Sequence, residues 1–368
     1  MRALVALFLC LTVAACGDRS FTPVLPDALT VGQPVQVLTA TSRNREQDGN
    51  FGYNRSETLS FLDLDVSIPP DHKVGTLEFA YARPNPRTQF TLAGQENFSG
   101  PSAFVNHLRT DLARKPGGQR EVTIFVHGFN TTHYEAAFRA AQLVHDIQLP
   151  GELVLYSWPS RGKPLAYGYD YDSVLFARGG LEQLLTLVTR DGATKVLLVG
   201  HSMGSAVIME TLRTLDNKSP GWAGRNTSGV VLISPDLDVD VFRSQMDGLK
   251  TVPRPFVIFV SHQDRILNLS ARLRGAHERE RLGTISDIAQ ISDLPVEIVD
   301  TTAYAKDAGS THFTPATSPA LISLLRQFRV VDGMLGQNDI SLSSLLTGRP
   351  SQSSSAVRIV LPFLGGDK

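Results

Sequence analysis

The sequence predicts an α/β fold: a mostly parallel, doubly wound sheet with an antiparallel start at its N-terminal end. Three observations predict it. Downstream of Lys115, nearly continuous apolar runs ("VTIFVHG", "ELVLYSW", "KVLLVGHS", "GVVLIS", "PFVIFVS", "VEIVDTT") read as strands covered on both faces, the condition of a parallel sheet. Between them lie longer stretches with helical spacing, including "HYEAAFRAAQLVHDI" and "VLFARGGLEQLLTLVTR". Upstream, "VQVLTATS", "LSFLDLDVSI" and "GTLEFAYA" alternate or are rich in β-branched residues, with Gly- and Pro-bearing turns between them, as antiparallel strands are.

In chain order, residues 1–16 read as a lipoprotein-type signal peptide. Arg2 precedes an apolar run from Ala3 to Val13 that is too short for an ordinary spanning helix, and small residues lead to Cys16. The stretch "VAAC" resembles the lipobox of bacterial lipoproteins, which makes Cys16 the expected lipidation point and the envelope the expected location. A plain cleaved leader or an uncleaved anchor is the alternative. Both cysteines of the chain, Cys10 and Cys16, fall here, so the mature protein has no thiol for a disulfide, a zinc site or a nucleophile. Residues 17–34, with Pro23, Pro26 and Pro34, read as a tether, and 35–332 as the folded domain. The Ser-rich tail, 333–368, ends in a short apolar run and either docks as a strand or stays loose.

Within the domain, Thr132 with Glu135 three residues on marks a capping box at the start of the first long helix. Further along, "KVLLVGHSMGS" carries Gly200, Ser202 and Gly204 between a buried-strand pattern and the helix-like "SAVIMETLRTL". GxSxG alone is a weak signal in a chain with 30 glycines. In a strand-turn-helix context it is the pattern that lifts a serine hydroxyl above a sheet. A serine needs a base, and the base needs an orienting acid. Of the histidines after Ser202, His277 lies in a charged segment and His262 ends a strand, whereas His312 sits in the small, polar loop "AKDAGSTHFTP" after the last strand. Asp264, after the penultimate strand, is the expected acid, and Asp236, one strand earlier, is the alternative. Asp236, Asp238 and Asp240 share the spacing that opens a calcium loop, but Val241 stands where glycine is needed, so capping or solvation is expected there. Two amides, of Met203 and of Phe129 in "HGFN", are candidates for an oxyanion hole.

These motifs, with "TATSRN", "VSIP", "LYSWPSRG", "SPDLDVDVF", "SHQDRILNLS" and "STHF", resemble the α/β-hydrolase superfamily over about residues 35–330, and more narrowly a bacterial family of esterase- or lipase-like hydrolases of unassigned substrate. The resemblance implies Ser202 as nucleophile, His312 as base and Asp264 as orienting acid, with the "HGF" turn at the oxyanion. Methionine follows the nucleophile where some relatives carry an aromatic residue. Trp158 and Arg161 either line the pocket, or Trp158 only packs the strand end.

The expected activity is serine carboxylic-ester hydrolysis through an acyl-enzyme, acting on a small-molecule or lipid ester. Alternatives are an envelope acyltransferase using the same triad, or a catalytically inactive envelope scaffold or binding module. This chemistry requires no metal and no organic cofactor. Thirty-five Lys and Arg against 36 Asp and Glu give no excess basic charge for a nucleic-acid partner.

Overall fold

A computed structural model of the chain describes residues 19–115, 121–149, 151–190, 195–273, 281–306, 308–326 and 357–360. The leader and Cys16, His277, and all of the tail but its strand lie outside the described residues. No helix among the described residues is long and apolar enough to cross a membrane.

Among the described residues, ten strands form one sheet: β1 (Gln33–Arg45), β2 (Phe51–Ile68), β3 (Thr91–Asn97), β4 (Val122–Val126), β5 (Glu152–Ser157), β6 (Val196–His201), β7 (Thr227–Ile233), β8 (Phe256–Val260), β9 (Glu297–Asp300) and β10 (Val357–Val360). Their order is β10-β9-β8-β7-β6-β4-β5-β1-β2-β3. Every pairing from β10 across to β1 is parallel, and β1–β2 and β2–β3 are antiparallel. This is the α/β-hydrolase fold expected from the sequence, and within the tail Val357–Val360 takes the docked alternative beside β9.

Alternation along the strands divides the core. On β4, Val122, Ile124 and Val126 face one layer, with Leu181 and Leu184 of α3 (Tyr167–Val188) and Val207 and Leu212 of α4 (Met203–Lys218). Phe125 faces the other, with Phe138 and Ala141 of α2 (His133–Ile147), Phe313 and Leu321. Helix α1 (Pro101–Arg114) adds Phe104 and Leu108 to the first layer, and the short α5 (Trp222–Asn226) adds Ala223. With both faces covered, the central strands carry apolar residues throughout, which is why they were legible as runs.

Two expectations need correction. "GTLEFAYA" is not a strand: Phe79 makes one isolated bridge to Phe90, and the third antiparallel strand is Thr91–Asn97. Pro84 and Pro86 follow closely and lack the donors a ladder needs, while the Phe79 ring packs 5.5 Å from Phe138 on α2. Nor is the 17–34 segment a free tether from Arg19 onward. Leu25 N–H donates to Leu92 O at the β3 edge (2.8 Å), and a 3₁₀ turn, Pro26–Thr30, buries Ala28, whose carbonyl accepts from Ser67 Oγ (2.8 Å). Its prolines lack only donors that an edge segment does not need, so they permit docking as readily as a linker.

Candidate active site

Ser202 stands between β6 and α4 with φ 53° and ψ −122°, a left-handed backbone for a residue that is not glycine. That conformation costs about 1–3 kcal/mol and persists only where its surroundings enforce it. Ser202 N–H donates to Ile233 O (3.0 Å), prolonging the β6–β7 ladder into the turn, and Ser205 Oγ donates to Gly200 O (3.1 Å). The flanking glycines are demanded by contact. A Cβ on Gly204 would lie 2.2 Å from Val126 O, and one on Gly200 2.9 Å from Ser205 Cα. The small residues therefore let the helix cross the strand ends closely enough to force the bend.

His312 arrives on the loop before α8 (Thr314–Thr317). Its Nδ1 lies 2.7 Å from Asp264 Oδ2, and the Asp264 carboxylate is fully buried. The other oxygen, Oδ1, accepts the amides of Ile266 (3.0 Å) and Leu267 (3.1 Å) as α7 (Arg265–Leu273) begins, so backbone donors fix the carboxylate's direction. His201, the residue before the serine, holds the loop from the other side. Its ring centroid lies 4.8 Å from that of His312 and 4.1 Å from Phe313, and its Nε2 contacts His312 O (3.2 Å). The structure thus brings Asp264 and His312 together beside the serine turn.

Asp236 is committed elsewhere. Its Oδ1 pairs with Arg281 Nε (2.8 Å) and accepts from Ser270 Oγ (2.8 Å), and its Oδ2 accepts from Tyr167 OH (2.8 Å). Asp238 caps α6 (Val239–Asp247) by accepting the amides of Asp240 and Val241, the capping role expected in place of calcium. His262 packs against Thr284 O (3.3 Å) and Asp300 (3.4 Å), as a structural neighbour.

The "HGFN" turn is built to stay put. Gly128 presses on the serine: a Cβ there would lie 3.0 Å from Ser202 Cβ and 2.7 Å from His201 Nδ1. Trp158 is fully buried, stacked on His127 at 5.1 Å, and donates Nε1–H to His127 O (2.7 Å), so it packs the strand end and does not line a pocket. Arg161 is half-buried against the rings of Tyr53 (4.8 Å) and Tyr169 (5.6 Å). Met203 opens α4, where an amide has no intrahelical acceptor. On the oxyanion role expected from the sequence for the Phe129 amide, Gly128→Ala would cut turnover by about 10²- to 10³-fold, because the added methyl meets Ser202 and His201 and displaces the turn. Steady-state rates beside thermal midpoints check this, since a merely destabilised variant would keep its rate below the midpoint.

Arg43, in "TATSRN", escaped the sequence reading. Fully buried, it donates to Gly52 O (3.0 Å), Ser160 O (2.8 Å), Thr131 O (2.8 Å) and Ser157 Oγ (3.0 Å), tying β1 to the "HGFN" loop and the loop after β5. The only advance signal was a charged residue inside a strand-like stretch. Burial, aided by Arg43, pushes His127 down to about 3 and His133 well below the usual histidine value. Both stay neutral when folded, while the unfolded chain takes up their protons below pH about 6.5. Stability is therefore present above that value and falls with falling pH, by about 2–3 kcal/mol between pH about 7.5 and 5.5 for the two rings. Urea midpoints across that range measure it; a flat profile would mean the rings are not held neutral.

The sheet order, the strand-turn-helix serine and the paired aspartate and histidine define an α/β-hydrolase. The chain belongs to the family described as alpha/beta hydrolase of unknown function (DUF900), whose sequence profile matches residues 101–329. No curated protein matches it in sequence. Similar solved structures include TT1662 from Thermus thermophilus, at 10% identity over 73% of this chain and 93% of that one, with a TM-score of 0.36. Thermogutta terrifontis esterase 2 phosphonylated by sarin is 12% identical over 75% and 90%, with a TM-score of 0.33. Trichoderma reesei cutinase in complex with a phosphonate inhibitor is 18% identical over 32% and 52%, with a TM-score of 0.24.

Proposed function

We propose that this hydrolase cleaves carboxylic esters through a covalent acyl-enzyme on Ser202. The observation that carries the reading is the Asp264–His312 pair, 2.7 Å apart with the acid fully buried, on the loop that packs against His201 beside the serine. Ser202 Oγ attacks the ester carbonyl as His312 Nε2 takes its proton. Asp264 accepts Nδ1–H, holding the ring in the tautomer that leaves Nε2 free to act. The oxyanion is received by the amides of Phe129 and Met203, and His312 returns the proton to the departing alcohol. Water, deprotonated by the same ring, then releases the acid.

A fluorophosphonate probe is expected to label the purified chain once, at Ser202, and p-nitrophenyl esters of graded acyl length to be turned over. Failure of both would leave the fold without the chemistry.

The proposed location is the bacterial cell envelope, held by lipid on Cys16. In support, Arg19 docks its guanidinium on Glu135 (2.7 and 2.9 Å) and on Asn130 O (3.2 Å), next to Phe129. Three residues span at most about 10 Å, so an acylated Cys16 would hold the oxyanion side of the site close to a bilayer, where a lipid ester is within reach. Cys16→Ala is expected to move the protein from the membrane fraction to the soluble fraction and to abolish palmitate labelling. Unchanged fractionation and labelling would reject the anchor.

A further inference from the structure

Among the described residues, one group of metal-capable side chains converges outside the active site: His72, His145 and Asp146. His72 lies in the loop after β2, and His145 and Asp146 in the last turn of α2. His72 Nε2 stands 2.7 Å and His145 Nδ1 2.9 Å from the same oxygen, Asp146 Oδ1, and the three atoms lie within 4.8 Å of one another. Both rings border a surface cleft of about 350 Å³, whose wall also includes Gln33, Pro69 and Pro70.

We propose that His72, His145 and Asp146 form a structural site for a divalent transition ion, zinc being the best match, with its fourth ligand supplied from the cleft. The donor set argues for this class. Two imidazoles and one carboxylate suit zinc, cobalt or nickel, whereas calcium and magnesium take oxygen ligands. Around a tetrahedral zinc with bonds of about 2.0–2.2 Å, ligand atoms stand about 3.3–3.5 Å apart, so sub-ångström shifts of the side chains open the present cluster around an ion. In the bound form each ring carries its proton on the far nitrogen, leaving lone pairs at His72 Nε2 and His145 Nδ1 for the ion.

The surroundings already hold the carboxylate as a ligand must be held. Asp146 Oδ2 accepts Gly75 N–H (2.8 Å) and Gln142 Nε2–H (2.6 Å), which leaves Oδ1 to the two histidines.

The site lies about 18 Å along α2 from the oxyanion turn, too far to touch the reaction, so it does not rest on the proposed ester chemistry. What it joins is structural. Gln142 also donates to Ala316 O (3.0 Å), just past His312, and a Cβ on Gly75 would lie 2.8 Å from Thr317 O. An ion would therefore staple the loop after β2 to the end of α2, against the segment that follows the base.

The test is direct. The chelator-stripped full-length chain, dialysed against micromolar zinc chloride, is expected to retain one zinc per chain by elemental analysis. Cobalt should give the visible bands of tetrahedral coordination, and zinc, but not magnesium, should raise the thermal midpoint. His145→Ala, at a half-exposed ring, and Asp146→Asn, which keeps the hydrogen-bond acceptor, are each expected to weaken zinc binding more than about 100-fold, beyond the cost of losing a supporting hydrogen bond alone. His107→Ala, beside Asp63 (3.5 Å) and Asp111 (3.0 Å) on the surface, is expected to keep full binding. Substoichiometric zinc on the parent chain, or equal binding by the parent and a folded His145→Ala chain, would overturn the proposal.

Discussion

Ser202→Ala is expected to lower kcat/KM toward a p-nitrophenyl ester by about 10⁴- to 10⁶-fold and to abolish fluorophosphonate labelling, with the fold unchanged. The size follows from the role proposed for the hydroxyl: without it the proposed acyl-enzyme could not form, and only the proposed oxyanion donors and substrate binding would remain to aid attack by water. The fold should tolerate the change because Ser202 is held by its backbone, through the hydrogen bond its N–H donates to Ile233 O and the helix that opens at Met203. Alanine at φ 53° is strained as serine is, so the thermal midpoint should move little. An alanine variant that still hydrolyses the ester at the parental rate would place the nucleophile elsewhere.

The second large effect separates two aspartates that sequence position alone left in competition. Asp264→Asn is expected to lower kcat by about 10³- to 10⁴-fold with modest loss of stability. An amide can still accept the Ile266 and Leu267 N–H groups, but its NH₂ beside His312 Nδ1 favours the wrong tautomer. Asp236→Asn is expected to do the reverse. It strips the counter-charge from Arg281, which is 2% exposed, and breaking such a buried pair costs about 3–5 kcal/mol. Its thermal midpoint should fall, while kcat below that midpoint stays near the parental value. Paired kinetics and calorimetry on both variants decide the matter, and an exchange of the two phenotypes would make Asp236 the orienting acid.

The candidate site was legible to the extent that its residues sit at topologically fixed places. A serine between a buried strand and a helix, an acid after a late strand and a histidine after the last one are all local statements about where strands end. His201, Arg43 and Trp158 differ. His201 occupies a variable position of GxSxG, yet its ring contacts both His312 and Phe313. Arg43 acts through four oxygens on three separate segments, and Trp158 through a stack on His127, none of which a linear pattern records.

By itself the sequence determined the layering, because apolar runs and helical spacing reflect which faces each element must bury, and it determined the bend at Ser202, because only small residues let α4 cross β6 so closely. Tertiary structure alone decided which partners meet: Asp264 and not Asp236 beside His312, Thr91–Asn97 and not 75–82 at the sheet edge, Arg19 against Asn130, and His72 against a helix end more than seventy residues away. The physical reason is range. Periodicity and turn chemistry act over a few neighbours, whereas an ion pair or a shared carboxylate depends on how the assembled sheet brings distant loops together.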